Sequence, residues 1–447
     1  MKKFLTIFTF FLFVFVFTGC NGLDKYVEDM DVQPEEIAEK PWSLLIYVSA
    51  DIEKDDAKLL LEEVKAVLKV GSSANMHIIA QVDFEGKKAK AQRYYVYKDK
   101  LAKRGEFENM NMGSPASLKE FLEWGLSYKS HKKALMFMGK GTGWISLGNG
   151  QNKRSFAYSN TEGDSITLKE AKDVFSQVLG DNKFDVIAWN SGFMNQLEVA
   201  YQFRNFANFM IAAETDMPGI GYDYSLFTKP LMTTDLEPQD FARRVFISGG
   251  AKHKFMKKRA EDILKKIKKH KYDNWDDNDH YVPEIKESVC KKIVNSNYQM
   301  SLLDLRKIDD MTKNIKSLTG ALKEYSKKSP ESIKYAIDFA KRHSACFAPL
   351  FKELDGKKEY VDVNDFLMEL YNRIGDDNIL QIIQYTVEDL YKVVIDKYHH
   401  GKDVKFSMLS VYMPSDMEFY RNNLEYNYKE LDFVKSSDWN ELFELAK

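Results

Sequence analysis

With 447 residues, 44% hydrophobic and 13% aromatic, the chain can bury a large core, and its 23 glycines and 10 prolines are too few for a fibrous or disordered protein. The 65 lysines and arginines nearly balance the 67 aspartates and glutamates. A net charge of −2 gives no whole-chain field that would draw nucleic acid, so none is expected as a partner.

The first residues have the layout of an export signal: Lys2 and Lys3, the apolar run Phe4 to Phe17, then Thr18-Gly19-Cys20. The run is short for a transmembrane helix. Phe17-Thr18-Gly19-Cys20 resembles a bacterial lipobox, with phenylalanine in place of the usual leucine. That resemblance implies a signal peptide over residues 1–19 and a lipid on Cys20, which anchors the chain to a membrane. Asn21 follows where a retention aspartate would stand, so the expected address is the bacterial envelope at the outer membrane, facing the periplasm or the cell surface. From residue 20 to residue 40 the chain is polar and acidic with Pro34, and reads as a lipid-attached tether.

Ser43 to Ala50 is a continuous apolar run, as expected of a strand buried on both faces of a parallel sheet. A helix follows, with Ala57, Leu60, Leu61, Val64, Val67 and Leu68 at helical spacing and Gly71 at its end. Met76 to Val82 and Arg93 to Tyr97 read as further strands. Ser114 before Pro115 opens a helix with Leu118, Phe121, Leu122 and Leu126 on its inner face. Ala134 to Met138 is the next strand. Thr167 and Glu170 form a capping box for a helix to about Gly180, and Phe184 to Trp189, a helix from Glu198 to Arg204 and a strand from Phe209 to Ala213 complete the pattern. Strands alternating with helices predict βαβ units, a mainly parallel sheet and helices on both faces. In such sheets ligands bind beyond the carboxyl ends of the strands.

Beyond about Thr233 the pattern becomes largely helical. Lys252 to Lys271 interleaves lysines with Phe255, Ile263, Leu264 and Ile267, which predicts a helix with a solvated basic outer face; contact with an anionic surface is the alternative. Asp273, Asp276, Asp277 and Asp279 near His280 lack the spacing of a calcium loop and read as an acidic surface, so no metal site is predicted. Cys290 and Cys346 remain once Cys20 carries lipid, and either a disulfide or two free thiols fits them. His343 and Cys346 stand three apart on an expected helix, a spacing that suits packing.

Two segments carry the chemistry. Phe137-Met138-Gly139-Lys140-Gly141-Thr142-Gly143-Trp144 and Ile187-Ala188-Trp189-Asn190-Ser191-Gly192-Phe193-Met194 resemble the two catalytic motifs of the clostripain-like cysteine peptidases, His-Gly-Ser-Gly-Trp and Phe-Asp-Ala-Cys-Leu-Met. Tyr298 to Leu305, Val361 to Leu367, Phe406 to Pro414 and His399-His400 beside Gly401 resemble late segments of the same family. The resemblance implies a caspase-like three-layer α/β fold, with a core over residues 41–232 and a helical part over 233–447 that adds late strands to the same unit.

It also implies that Lys140 stands at the histidine position and Gly192 at the cysteine position, 52 residues apart. In this group the pair comes from neighbouring strand ends roughly 50 residues apart. Asn190 replaces a family aspartate, and Pro218-Gly219-Ile220-Gly221 replaces a Pro-Gly-Asp-Gly turn whose aspartate lines the specificity pocket. A basic ligand side chain would then lie uncompensated there. Lys153-Arg154 falls in the interval where the family is cleaved for activation. No cofactor is expected, and calcium enters only by family resemblance.

The expected role is therefore a degenerate peptidase that binds a peptide or protein, with Asn190, Ser191, Glu214 and Ile220 as candidate binding residues. One alternative is an active enzyme using a Lys140/Ser191 dyad, against which stands the alternation of side chains along a strand. The other is an envelope scaffold that ignores the cleft.

Overall fold

The computed structural model describes residues 23–446 except 85–89, 109, 147–154, 218–220, 233, 274–284, 348–356 and 401–407. Cys20 and the residues expected to form an export signal, Lys153-Arg154, Ile220, the acidic residues at 276–279 with His280, and Gly401 therefore lie outside the described residues.

Fifteen strands are described: β1 (Val27–Glu28), β2 (Lys40–Val48), β3 (Met76–Val82), β4 (Lys90–Tyr97), β5 (Lys100–Glu108), β6 (Ser130–Met138), β7 (Phe156–Ser159), β8 (Asp164–Ile166), β9 (Phe184–Asn190), β10 (Ala207–Ala213), β11 (Tyr298–Asp304), β12 (Cys346–Phe347), β13 (Tyr360–Asp362), β14 (Val394–His400) and β15 (Ser410–Tyr412). Ten of them form one sheet in the order β1-β5-β4-β3-β2-β6-β9-β10-β11-β14. Its centre, β3-β2-β6-β9-β10, is parallel. Antiparallel strands flank it on both sides: β4 and β5 at one edge, β11 and β14 at the other.

Alternation along the central strands explains the three layers. Leu45, Tyr47, Leu135, Phe137, Ile187 and Trp189 point into an upper core, while Leu44, Ile46, Ala134, Met136, Val186 and Ala188 point into a lower one. The Phe137 and Trp189 rings stack at 4.6 Å. Helices Pro115–Leu126 and Leu168–Leu179 cover the upper face, and Lys54–Val70 and the start of Pro238–Asp273 the lower. The predicted caps are formed: the Ser114 side chain accepts from the Ala116 amide, and Thr167 and Glu170 cap each other. The late segments join the same unit, since β11 and β14 extend the sheet and helix Ile308–Ser326 packs on the upper core.

Three expectations need correction, and one open alternative is resolved. Residues 23–40 are not a tether: Leu23 is fully buried, β1 pairs with β5, and the buried Glu36 meets Arg104 in an ion pair. Phe255 faces solvent, whereas Lys252 and His253 of the same basic run turn inward. The helix Pro330–His343 ends at His343, because Ser344 is extended, and so Cys346 falls on β12. Cys290 and Cys346 are free thiols, and burial raises the pKa of both, that of Cys346 to about 11.

Candidate functional site at the strand ends

Register brings the two motif loops together. Met138 at the end of β6 pairs with Val48 on one side and Asn190 on the other, and the Gly139 amide donates to the Asn190 carbonyl at 3.2 Å. Past that point the loops touch. A Cβ on Gly141 would lie 2.5 Å from the Gly192 carbonyl oxygen and 2.9 Å from Ser191 Cβ, so only glycine fits at residue 141.

Lys140 leaves the strand end on the lower side and pairs with Glu53 and, at 3.9 Å, with Asp56, both at the start of the helix Lys54–Val70. Lys292 of the helix Glu287–Val294 pairs with Asp216 at 2.8 Å. These five groups form one cluster. Burial raises the Asp56 carboxyl above its ordinary pKa, against the pull of Lys292 and Lys140. Burial also works against the Lys292 charge, but Asp216, Asp56 and Glu53 outweigh it and hold its pKa above the usual lysine value.

Gly192 faces Asp216: a Cβ there would lie 3.0 Å from Asp216 Cα and 3.2 Å from the Met217 amide. A side chain at this position requires the 216–217 backbone to yield by a few tenths of an ångström. The next residue, Phe193, holds a left-handed φ of 60°, unusual for a bulky residue, and donates its amide to the Thr215 carbonyl at 3.1 Å.

Asn190 and Ser191 fall on opposite faces, as strand alternation requires. Asn190 is buried on the lower side near Gly221, where its amide nitrogen and Glu63 Oε2 lack hydrogen-bond partners among the described residues. Burial drives the Glu63 carboxyl up to about 7, although Lys252 pairs with it at 3.1 Å. Ser191 is buried beside Gly141. Glu214 is also buried, its amide bonded to the Gln299 carbonyl. The candidate binding residues Asn190, Ser191 and Glu214 thus lie beneath the surface, and none lines the open space.

That space is a cavity of about 500 Å³ beside Gly192, walled by Phe193, Thr215 and Asp216 on one side and by Lys292, Asn295 and Cys346 on the other. Its size suits a few side chains or a small ligand. Among the described residues no three histidines, cysteines or acids are grouped to hold a metal.

A family model described as the clostripain family, peptidase C11, matches residues 57–445. The chain belongs to that family. It is similar to a secreted C11 cysteine protease from Bacteroides thetaiotaomicron solved with an irreversible peptide inhibitor, at 16% identity and a TM-score of 0.58, over 90% of this chain and 99% of that one. An inactive zymogen C11 protease from Parabacteroides distasonis gives 16% identity and a TM-score of 0.59, over 91% and 99%. A third structure, of a secreted C11 protease from Bacteroides thetaiotaomicron, gives 10% and 0.60, over 90% and 99%. At these identities the likeness carries the fold, which is the caspase-like α/β fold of the clostripain family. Comparison with curated proteins gives no match.

Within this clostripain-family fold, sequence inspection missed Glu53, Asp56, Glu63, Asp216, Lys252 and Lys292. One signal was present: Glu63 sits between Leu60 and Val64 on the apolar face of its helix, a carboxylate where the period demands a hydrophobe.

Proposed function

We propose that this clostripain-family protein has no peptidase activity and holds a peptide or protein segment in the cavity beside Gly192. The observation that carries this reading is the pair of motif positions. Hydrolysis by a cysteine peptidase needs a thiolate to attack and an imidazole to hold and return the proton. Gly192 offers no side chain, and the Lys140 ammonium is committed to Glu53 and Asp56. The relative solved with a peptide inhibitor supports a peptide as the ligand class. Phe193, Thr215 and Asn295 on the walls, with Asp216 and Lys292 neutralising each other, suit an uncharged side chain.

The test is a panel of fluorogenic peptides with arginine, lysine or neutral residues before the reporter, run beside a peptide-binding assay. The expected result is no turnover, with binding that Thr215→Trp lowers at least about tenfold by filling the cavity. Turnover lost in both Lys140→Ala and Ser191→Ala would replace this proposal with the dyad enzyme. Partners captured equally by wild type and Thr215→Trp would favour the scaffold. The same proposal places the protein in the envelope through a lipid on Cys20; radiolabelled acyl chains should enter wild type and be absent from Cys20→Ser.

A further inference from the structure

The helix Pro238–Asp273 has two unlike faces. Phe241, Ala242, Val245 and Phe246 pack into the lower core, and Met256, Ala260 and Ile263 build a satellite cluster with Cys290 and Ile293. The opposite face is basic along its described length: Arg244, Lys254, Lys258, Lys265, Lys266 and Lys269 are exposed there, against Asp262 as the one exposed acid between residues 244 and 269. At 100° per residue these positions occupy about a third of the helix circumference. Between the cations stand Ile247, 53% exposed, and Phe255, 61% exposed. A lone exposed apolar residue is ordinary on a protein surface, but two of them set among cations on one helix face match a bilayer surface, which uses both the charge and the apolar body.

The geometry at the N-terminus points the same way. Leu23 is buried in the lower core, the one that also takes Phe241 and Val245, so the chain enters on the same face of the sheet as this helix, at the β1-β5 edge, while the helix lies under β9, β10 and β11. Only three residue steps separate Leu23 from Cys20, a reach of about 10 Å. If Cys20 is lipidated as proposed above, the anchor holds this side of the molecule close to the membrane.

We propose that the exposed face of Pro238–Asp273 docks on an anionic lipid bilayer, its lysines meeting headgroup phosphates and Phe255 and Ile247 entering between them. The test uses residues 23–447, which contain every described strand and both cores, so the outcome does not depend on lipidation. Co-sedimentation with vesicles containing phosphatidylglycerol should be at least about tenfold stronger than with phosphatidylcholine alone. Lys254→Glu with Lys258→Glu should abolish most of that difference. Phe255→Ser should weaken vesicle binding several-fold while leaving any binding to heparin unchanged, which separates a bilayer from a general polyanion. Equal binding to the two vesicle types overturns the proposal, as does vesicle binding indifferent to Phe255→Ser. All these side chains are exposed, and circular dichroism verifies that each variant is folded.

Discussion

The interior of the central strands and their carboxyl ends follow different rules. Inside, β6 and β9 present alternating apolar side chains to two hydrophobic cores, ending in the stacked Phe137 and Trp189. Three residues beyond Phe137, the chain surrounds itself with charge: Lys140, Glu53, Asp56, Asp216 and Lys292. The framework that aligns the motif loops therefore does not draw its stability from residues 140 and 192, although Trp144, Phe193 and Met194 beside them are buried in the upper core. The chemistry at residues 140 and 192 can change while the sheet stays intact.

Substitutions can break or sharpen that contrast. Trp189→Ala should cost the most, about 3–5 kcal/mol, because a fully buried ring is lost from the upper core. Chemical denaturation reads this directly, and a loss below about 1 kcal/mol would show that the core is not close-packed there.

Next comes the buried pair beneath the site. The folded pKa of Glu63, about 7, lies above its unfolded value, so this group favours folding at low pH and its contribution falls as pH rises from about 4.5 through 7. Lys252→Met removes the cation that opposes the rise. Its cost should be on the order of 3 kcal/mol at pH 8 and small near pH 5, where the folded carboxyl is protonated and no buried charge is left unpaired. A pH-independent cost would mean that the two groups do not interact.

A smaller effect is expected from Gly192→Cys, about 1–2 kcal/mol, because its Cβ crowds Asp216. The same backbone contact bears on restoring the enzyme: Lys140→His with Gly192→Cys, Asn190→Asp and Ile220→Asp should give only weak cleavage after basic residues. Smallest of all is Lys140→Ala. Its partly exposed ion pairs are worth less than about 1 kcal/mol, and a thermal melt should move by only a few degrees.

The central strands were legible because each is an unbroken apolar run, and the helices because their caps and periods agree. β5 was not, since Lys100–Glu108 is a polar hairpin partner that buries little. β1 escaped notice for a related reason: its two residues pair with a strand more than 70 positions away, which no local pattern announces. At the site, glycine and lysine at the motif positions could be read by resemblance. The charge cluster could not, because Asp216 and Lys292 meet from 76 residues apart and look like ordinary surface charges until the fold joins them. Lys252 was hidden among neighbours of its own kind.

The order of strands in the sheet has a consequence for synthesis. Both motif loops have been synthesised once residue 194 is made, yet β10 gains its outer neighbour only with residues 298–304, and that neighbour is covered only by Val394–His400. Until then the nascent chain carries an unpaired hydrophobic edge, the kind that recruits other chains. A shortened product ending near residue 232 would keep the whole motif region and still aggregate, and so would any attempt to express that region alone.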